Sequence, residues 1–598
     1  MIKNNLRLRN LALAASLLVF LLIVFGAVSS QGDSNQACPG WPTCNGSWLP
    51  EFGAIVQYFH QLLTALTIPV VLLTTLEARR NYRNKSLVIW ASSIALILLV
   101  VQIFVGATYV LGVDSAIISA LHFGLGLLTL AAISVVTVIG FILNREPDHP
   151  IQFQIVTPFS RFSVWSVGLL FVVLLSGVYV TLSQATFACV GWPLCNGELI
   201  PSEPLVWVNM LHRLLVAVGG LFMLALLRKA WQTQRNQIAI LSAASLTVVL
   251  YFSQGFVGAL KAQIGSPSYL LGLHEVTSAA LWISSIVLAI LMGLSTRNSS
   301  DEEEEAKTKA DNSQRARDFL SLTKPIIVLL LLVTTYAGMV VAIGAIPSFS
   351  LTFWTLLGGA LAAGGAGAVN QYIDRELDQQ MTRTAKRPIA AGRLTPAEGM
   401  AYALSLLVIS FYIYMGFVNM LAAFLALAGM IYYIFLYSIW LKRATVQNIV
   451  IGGGAGAIPP MVGWAASSGG LDWLAWLLFA IIFMWTPPHF WALALVRSKD
   501  YARAGIPMLP VVRGEKYTRR QIFIYTLALV ALTLVLPLLN LTGNVYLISA
   551  LVLGLLLIYE AWKVWKVGGN SIAWRMYRYS SMYLAFLFLA LVADSLLK

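Results

Sequence analysis

The sequence predicts an all-α polytopic membrane protein, and three observations carry that prediction. Hydrophobic residues make up 59% of the 598-residue chain and charged residues only 11%, whereas soluble domains devote about a quarter of their residues to charge. Apolar runs near the roughly 20 residues that span a bilayer recur along the whole length, about seventeen of them. The basic residues behind the net charge of +14 lie in short clusters between these runs, which is how Lys and Arg mark cytoplasmic loops. Such scattered clusters lack the continuous basic face that a nucleic acid needs, so nucleic acid is excluded as a partner and the lipid bilayer is the expected one.

The first apolar run, residues 11–30, follows Lys3, Arg7 and Arg9. No small-residue cleavage site precedes the cysteine loop after it, so the run reads as a retained helix. Apolar runs then continue to about residue 296, and this stretch contains an internal repeat. Cys38-Pro-Gly-Trp-Pro-Thr-Cys44-Asn-Gly returns as Cys189-Val-Gly-Trp-Pro-Leu-Cys195-Asn-Gly, and Gln102, Phe104, Val105 and Gly106 return as Gln254, Phe256, Val257 and Gly258. His60 returns as His212 and His122 as His274. Two four-helix units, about 1–145 and 160–296, are therefore expected, both in the same orientation because each has an even number of helices.

The clusters around Arg79, Arg145 and Arg228 fall on one side, the expected cytoplasmic side, which sends both cysteine loops to the opposite, oxidising compartment. A pair of cysteines alone does not complete tetrahedral metal ligation, so Cys38 with Cys44 and Cys189 with Cys195 are expected as disulfides. Their role stays open between a staple on the loop and a redox relay or transient substrate attachment, with the staple preferred for the second pair. Ionisable groups inside membrane helices are functional by default. Four histidines at duplicated spacing suit the gripping of haem iron from both faces, His60 with His122 and His212 with His274. His149 sits in a charged loop and is expected to be solvated.

Between Arg297 and Arg317 the composition collapses into Ser299-Ser-Asp-Glu-Glu-Glu-Glu305 and further polar residues. Too apolar-poor to order itself, residues 297–317 are expected as a charged flexible linker. The second domain, residues 318–598, opens with Lys324-Pro325. In its stretch GGAGAVNQYIDRELD, Asn370, Asp374 and Asp378 recur every four residues and share one helix side. Oxygen ligands aligned in this way suit Mg2+ bound to a diphosphate. Arg383, Lys386 and Arg387 follow as cations for that diphosphate, with Lys442 and Arg443 behind them. A second loop with Arg497, Lys499 and Asp500 counts to the same side, so Asp500 is expected as a further Mg2+ ligand. His489 is read as either a packed residue or a haem contact, and Pro459-Pro460 as a helix break near a cavity.

The duplicated units, the helix histidines and the CxGWPxCNG loops resemble haem A synthase over residues 1–296. That resemblance implies oxidation of a ring methyl of haem O to a formyl, with haem O held by His60 and His122 and a haem b cofactor held by His212 and His274. It also implies an electron donor that the sequence does not identify, and cytochrome oxidase assembly factors as candidate partners. Bacterial relatives often carry Glu three residues before the first histidine, where this chain has Gln57; Arg213 keeps the arginine that could meet a haem propionate. The assembly NxxxDxxxD, MxRTxxRP, LKRxTxxNIxIGGxxGAxPPxxGW and KDYxxAGIPMLP resembles haem O synthase, the protohaem IX farnesyltransferases of the ubiquinone-type prenyltransferase superfamily. It implies nine helices around a lipid-accessible cavity and transfer of a farnesyl group from farnesyl diphosphate to a vinyl of haem b, giving haem O. The combined expectation is a bifunctional enzyme in a prokaryotic cell membrane with its carboxylate loops cytoplasmic. The alternative is a di-haem electron carrier or haem transporter fused to a prenyltransferase.

Overall fold

In lipid a backbone must satisfy its own hydrogen bonds, and a chain with no strand pattern does so as helices. The computed structural model describes residues 2–29, 43, 44, 48, 54–110, 116–265, 267–307 and 312–597. Among them seventeen helices are long and apolar enough to cross a membrane, and none of the described residues forms an extended sheet. The chain divides into two compact units, Met1–Lys309 and Ala310–Lys598.

The first unit holds eight of the long helices: α1 (Ile2–Ser29), α2 (Ile55–Asn81), α3 (Ser86–Val110), α4 (Ala116–Arg145), α5 (Pro158–Leu182), α6 (Pro204–Thr233), α7 (Ile238–Ile264) and α8 (Ser268–Gly293). The repeat is visible in the packing, for α1 lies against α2 and α4 while α5 lies against α6 and α8. The two halves meet through α4 and α8, where Trp282 Nε1 donates to the Leu127 carbonyl at 2.8 Å. Helix contacts in lipid gain little from apolar burial and more from close packing and hydroxyl bonds. Ser16 with Thr137 and Thr247 with Ser284, each 2.8 Å apart, are of that kind.

The segment expected as a flexible linker is instead largely helical. Ser299–Lys307 forms α9 and Asn312–Leu322 forms α10. The acidic run finds order in helix ends rather than in an apolar core. Buried Glu302 accepts from the backbone N–H of Phe159, in the first turn of α5, at 3.3 Å and from Gln234 at 3.0 Å. Glu305 accepts from the Asn236 N–H and pairs with Arg297 at 2.7 Å. Carboxylates at unsatisfied N-terminal N–H groups are stabilising there. In the second unit α10 is fixed by ion pairs from Arg315 to Glu398 and from Asp318 to Arg393. His149, expected in solvent, ties its loop to the end of α8 through the Leu294 carbonyl, 3.3 Å away.

The second unit continues with α11 (Pro325–Ile343), α12 (Phe349–Ile373), α13 (Arg375–Gln380), α14 (Pro396–Phe417) and α15 (Met420–Ile431). A π-helical stretch, Tyr432–Leu441, leads into α16 (Lys442–Ala444) and α17 (Asn448–Ser468). Then come α18 (Trp473–Val496), α19 (Ser498–Arg503), α20 (Leu509–Val512), α21 (Glu515–Leu538), α22 (Asn544–Lys566) and α23 (Asn570–Leu597). Helix starts are written in the sequence: Thr395 and Glu398 close a capping box ahead of α14, and Ser348, Asn419 and Asp472 cap α12, α15 and α18. The expected break at Pro459-Pro460 does not occur, since α17 runs unbroken through both prolines. The backbone of α11 presses on it there: a Cβ on Gly338 would lie 2.2 Å from the Pro460 carbonyl oxygen, and one on Gly463 1.9 Å from that of Thr335. A neighbouring helix at that range supports a proline-containing span.

Candidate functional site

The carboxylate site of the second unit is assembled by glycines. A Cβ on Gly364 would meet Thr323 at 3.0 Å, and one on Gly367 would touch the Thr323 carbonyl and Lys324 Cδ. The glycine run thus lets the start of α11 lie on α12 and sets Lys324 beside Asn370, Nζ to Oδ1 2.6 Å. Lys324 holds a left-handed backbone, φ 55°, immediately before Pro325, a conformation uncommon for any residue but glycine. Burial, with Arg387 nearby, pushes its ammonium down to about 7.

Asn370 lies on α12, Asp374 at the break between α12 and α13, and Asp378 on α13, so the three do not share one helix; all three are buried. Asn370 donates to Asp374 Oδ2 at 2.8 Å and to Ser438 at 3.2 Å. Lys442 Nζ lies 2.5 Å from Asp374 Oδ2, and Arg387 donates from the single nitrogen Nη1 to both oxygens of Asp378, at 2.9 and 2.7 Å. The carboxylates expected to hold metal and the cations expected to hold diphosphate are therefore each other's partners. No three His, Cys, Asp or Glu side chains among the described residues converge as a ready-made metal cage. One oxygen stays open: Asp374 Oδ1 is buried with no hydrogen-bond partner. A hard cation that keeps several waters and takes one or two carboxylates plus phosphate oxygens fits such a set.

The second loop meets the first, Thr382 Oγ1 donating to Asp500 Oδ1 at 3.4 Å with Arg503 3.9 Å from the same carboxylate. Arg383 is exposed and electrostatically coupled to Tyr437 and Tyr501. Lys386, Arg443, Arg497 and Lys499 are exposed around the rim. His489 resolves to a packed residue: its ring lies between Trp485 and Tyr577, centroids 4.2 and 4.5 Å away, and Nδ1 bonds Ser580 at 2.7 Å. Sequence reasoning missed Tyr433, Tyr437 and Ser438 in the π-helical stretch. Tyr433 lies 3.4 Å from Lys324 Nζ and stacks on Tyr437 at 5.6 Å. π-turns recur at functional sites but leave no pattern that hydropathy can register.

In the first unit the four expected histidines lie near the starts of α2, α4, α6 and α8, each against a glycine of the preceding helix. Cβ atoms on Gly26, Gly106, Gly177 and Gly258 would lie 2.9, 3.0, 3.1 and 3.4 Å from the Cε1 atoms of His60, His122, His212 and His274. His60 and His122 belong to the first four helices of the unit, His212 and His274 to the second four. One nitrogen of His60 engages the Leu22 carbonyl and His212 Nδ1 bonds Ser176 at 2.8 Å, the outer contacts that orient a metal-binding imidazole. His60 Nδ1 and His274 Nδ1 are buried without hydrogen-bond partners. Glycine cradles and unmet ring nitrogens fit a haem between each pair. Gln57 stands near His60 with Oε1 likewise buried and unpartnered.

Arg213 is directed elsewhere than at a propionate: Nε bonds Asn209 at 2.9 Å, and Nη1 bonds the Gly191 and Pro193 carbonyls at 2.9 and 3.1 Å. It clamps the cysteine loop to α6, and Cys189–Cys195 closes that loop as a disulfide. Cys38 lies outside the described residues, so of the first pair only buried Cys44 is seen. Lys261 in α7 and Glu275, next to His274 in α8, were missed in the sequence; both lie within membrane-length helices, and their opposite charges attract. The corresponding positions of the first half, Tyr109 and Phe123, carry no charge.

Paired carboxylates and cations at one end of a helical membrane unit, carried with a duplicated four-histidine bundle, define the class: an intramembrane prenyltransferase joined to a haem-type bundle. Comparison with known proteins narrows it. The UbiA prenyltransferase family model matches residues 331–589, and the cytochrome oxidase assembly protein model matches 1–133, 51–206 and 161–391. A protoheme IX farnesyltransferase of Chloroflexus aurantiacus is 35% identical over 97% of this chain and 97% of its own. One of Gloeobacter violaceus is 50% identical over 48% of this chain and 93% of its own. A solved UbiA homolog from Archaeoglobus fulgidus, bound to GPP and Mg2+, aligns with 46% of this chain and 99% of its own at 17% identity and a TM-score of 0.37. The chain belongs to the protoheme IX farnesyltransferase family, in the form that carries a cytochrome oxidase assembly unit ahead of the prenyltransferase.

Proposed function

We propose that the chain makes haem A in two steps, its second unit farnesylating haem b to haem O and its first unit oxidising a methyl group of haem O to a formyl. The observation that carries the first step is the self-neutralised site, in which Lys442 and Arg387 occupy Asp374 and Asp378. A magnesium diphosphate brings both a cation for the carboxylates and an anion for Lys442, Arg387 and Lys324, so every buried charge can exchange partners without being stranded. Mg2+, when bound, supplies charge neutralisation for the departing diphosphate. Asn370, Asp374 and Asp378 would hold it, with Asp500 reaching in from the second loop. Lys324, Lys442, Arg383 and Arg387 would hold the phosphate oxygens, with Lys386 at the rim, and the half-buried aromatic wall of Tyr433 and Tyr437 would keep water from an allylic cation.

For the second step the paired histidines are the support, His60 with His122 for haem O and His212 with His274 for haem b. The basic residues gathered at the carboxylate end favour a cytoplasmic position for it and an external one for the cysteine loops. A second reading, a di-haem electron carrier ahead of the prenyltransferase, is favoured by Gln57, which cannot act as a base where bacterial relatives often carry Glu. The test is to express the chain in a host that makes only haem b, with oxygen, and to identify extracted haems by chromatography and mass. Haem A supports both steps; haem O alone supports the prenyltransferase and leaves the carrier reading for the first unit. Unchanged haem b, from folded protein, overturns the proposal.

A further inference from the structure

Asn448, the first residue of α17, is 1% exposed, and neither its Oδ1 nor its Nδ2 has a hydrogen-bond partner. A buried side-chain amide with both ends unmet is rare, because a buried polar group that gives up water without a new partner is destabilising. Its place in the fold says what it faces. Gly452 lies one turn further along α17 on the same side, and a Cβ there would fall 2.3 Å from Tyr437 Cδ2. Tyr437 in turn stacks on Tyr433, whose hydroxyl lies 3.4 Å from Lys324 Nζ beside Asn370. Asn448 is one turn nearer the helix start than that contact, at the end of the unit where Lys442 meets Asp374.

We infer that Asn448 is a further binding residue for the metal–diphosphate head of the prenyl donor, Nδ2 donating to a phosphate oxygen and Oδ1 accepting from a metal-bound water. A neutral amide is suited to this place because both buried carboxylates already have cation partners, Lys442 on Asp374 and Arg387 on Asp378. An amide offers one donor face and one acceptor face there at no net charge. A haem propionate presents the same anionic oxygen chemistry, and the experiment separates the two. The inference rests on the second unit's being a prenyltransferase.

The test uses detergent-solubilised full-length protein with Asn448→Leu and Asn448→Ala. The readouts are binding of Mg2+ with inorganic diphosphate and of unreactive farnesyl thiodiphosphate by calorimetry, haem b binding by its Soret band, and thermal stability without ligand. A hydrogen bond to a charged group is worth about 1.5–3 kcal/mol, so both variants should bind magnesium diphosphate roughly 10- to 100-fold more weakly, with haem b binding within about twofold of wild type. Asn448→Leu, relieved of the unmet amide, should unfold at no lower temperature than wild type without ligand, and should lose most of the stabilisation that magnesium diphosphate confers. Unchanged diphosphate affinity in both variants, or loss of haem b binding alone, overturns the inference, and a ligand-free Asn448→Leu that unfolds well below wild type with intact diphosphate binding makes the residue structural. If wild-type protein itself binds no magnesium diphosphate, it is the prenyltransferase reading that fails.

Discussion

The four glycines that cradle the helix histidines offer a graded perturbation with its own control. Replacing each with Ala adds one methyl carbon against an imidazole, and the structure ranks the collisions. At Gly26 the new carbon would stand 2.9 Å from His60 Cε1 and 3.2 Å from Nδ1; at Gly106 and Gly177 it meets one ring atom at 3.0 and 3.1 Å; at Gly258 the approach is 3.4 Å, ordinary contact. Overpacking a tight interior costs about 1–3 kcal/mol, and a ligating ring must be held within about 0.5 Å. The ring can swing aside to relieve the collision, and Ala is the better helix former by roughly 0.5–1 kcal/mol, so the cost should appear in haem retention rather than in folding. Gly26→Ala is expected to weaken haem binding by one to two orders of magnitude, about the upper part of that range. Gly106→Ala and Gly177→Ala should lose roughly tenfold, and Gly258→Ala should stay near wild type. Haem stoichiometry and the reduced absorption spectrum of purified variants measure this, with thermal unfolding of the haem-depleted protein as the folding control. Equal loss across the four, or a Gly258→Ala variant worse than Gly26→Ala, would refute the reasoning that these contacts position the rings.

Lys442→Met strands the buried carboxylate of Asp374, whose partner lies 2.5 Å away; breaking a buried pair costs about 3–5 kcal/mol. A lower unfolding temperature, partly restored by millimolar Mg2+, and near-complete loss of farnesyl transfer are expected. Lys261→Met should lower haem retention in the second half of the first unit by leaving Glu275 without its counter-charge. Adding Glu275→Gln should recover part of the stability, a coupling of about 0.5–3 kcal/mol in the double-mutant cycle. Arg213→Ala removes both bonds from α6 to the loop closed by Cys189–Cys195, together with one inside α6. Limited proteolysis should then cut between residues 184 and 203 faster than in wild type, while thiol labelling of the non-reduced protein stays unchanged.

Composition was enough to read the class of fold, because lipid admits few alternatives to a helix and the apolar runs have the length of a span. The histidine pairs were legible for a related reason: a duplication shows the same rare residue twice, and coincidence does not repeat at a fixed interval. Their glycines were only half legible. Gly106 and Gly258 came with the repeated Gln-x-Phe-Val-Gly, but Gly26 and Gly177 sit in helices whose sequences otherwise drifted, and a glycine in a membrane helix is too common to single out. Asn370, Asp374 and Asp378 announced themselves by four-residue spacing. Their pairing with Lys442 and Arg387 did not, since it joins positions 68 and 9 residues apart on separate segments of the chain. Lys324 was seen only as a helix start, and nothing local marks a lysine brought to an asparagine 46 residues away by intervening glycines. The linker misled because its disorder was inferred from apolar content, whereas helix ends can order a carboxylate without any core.

The docking of α9 changes where the chain can be cut to study its halves apart. Hydropathy draws the line at residue 296, and a fragment ending there would lack Glu302, leaving the Phe159 N–H and the Gln234 amide without the acceptor they have in the whole protein. The acidic stretch belongs to the fragment before it, as surely as Arg315 and Asp318 belong to the one after it through Glu398 and Arg393. The two compact units divide between Lys309 and Ala310. A separated first half that behaves poorly when it ends at 296 would report the loss of a surface staple and say nothing about whether that half needs its neighbour.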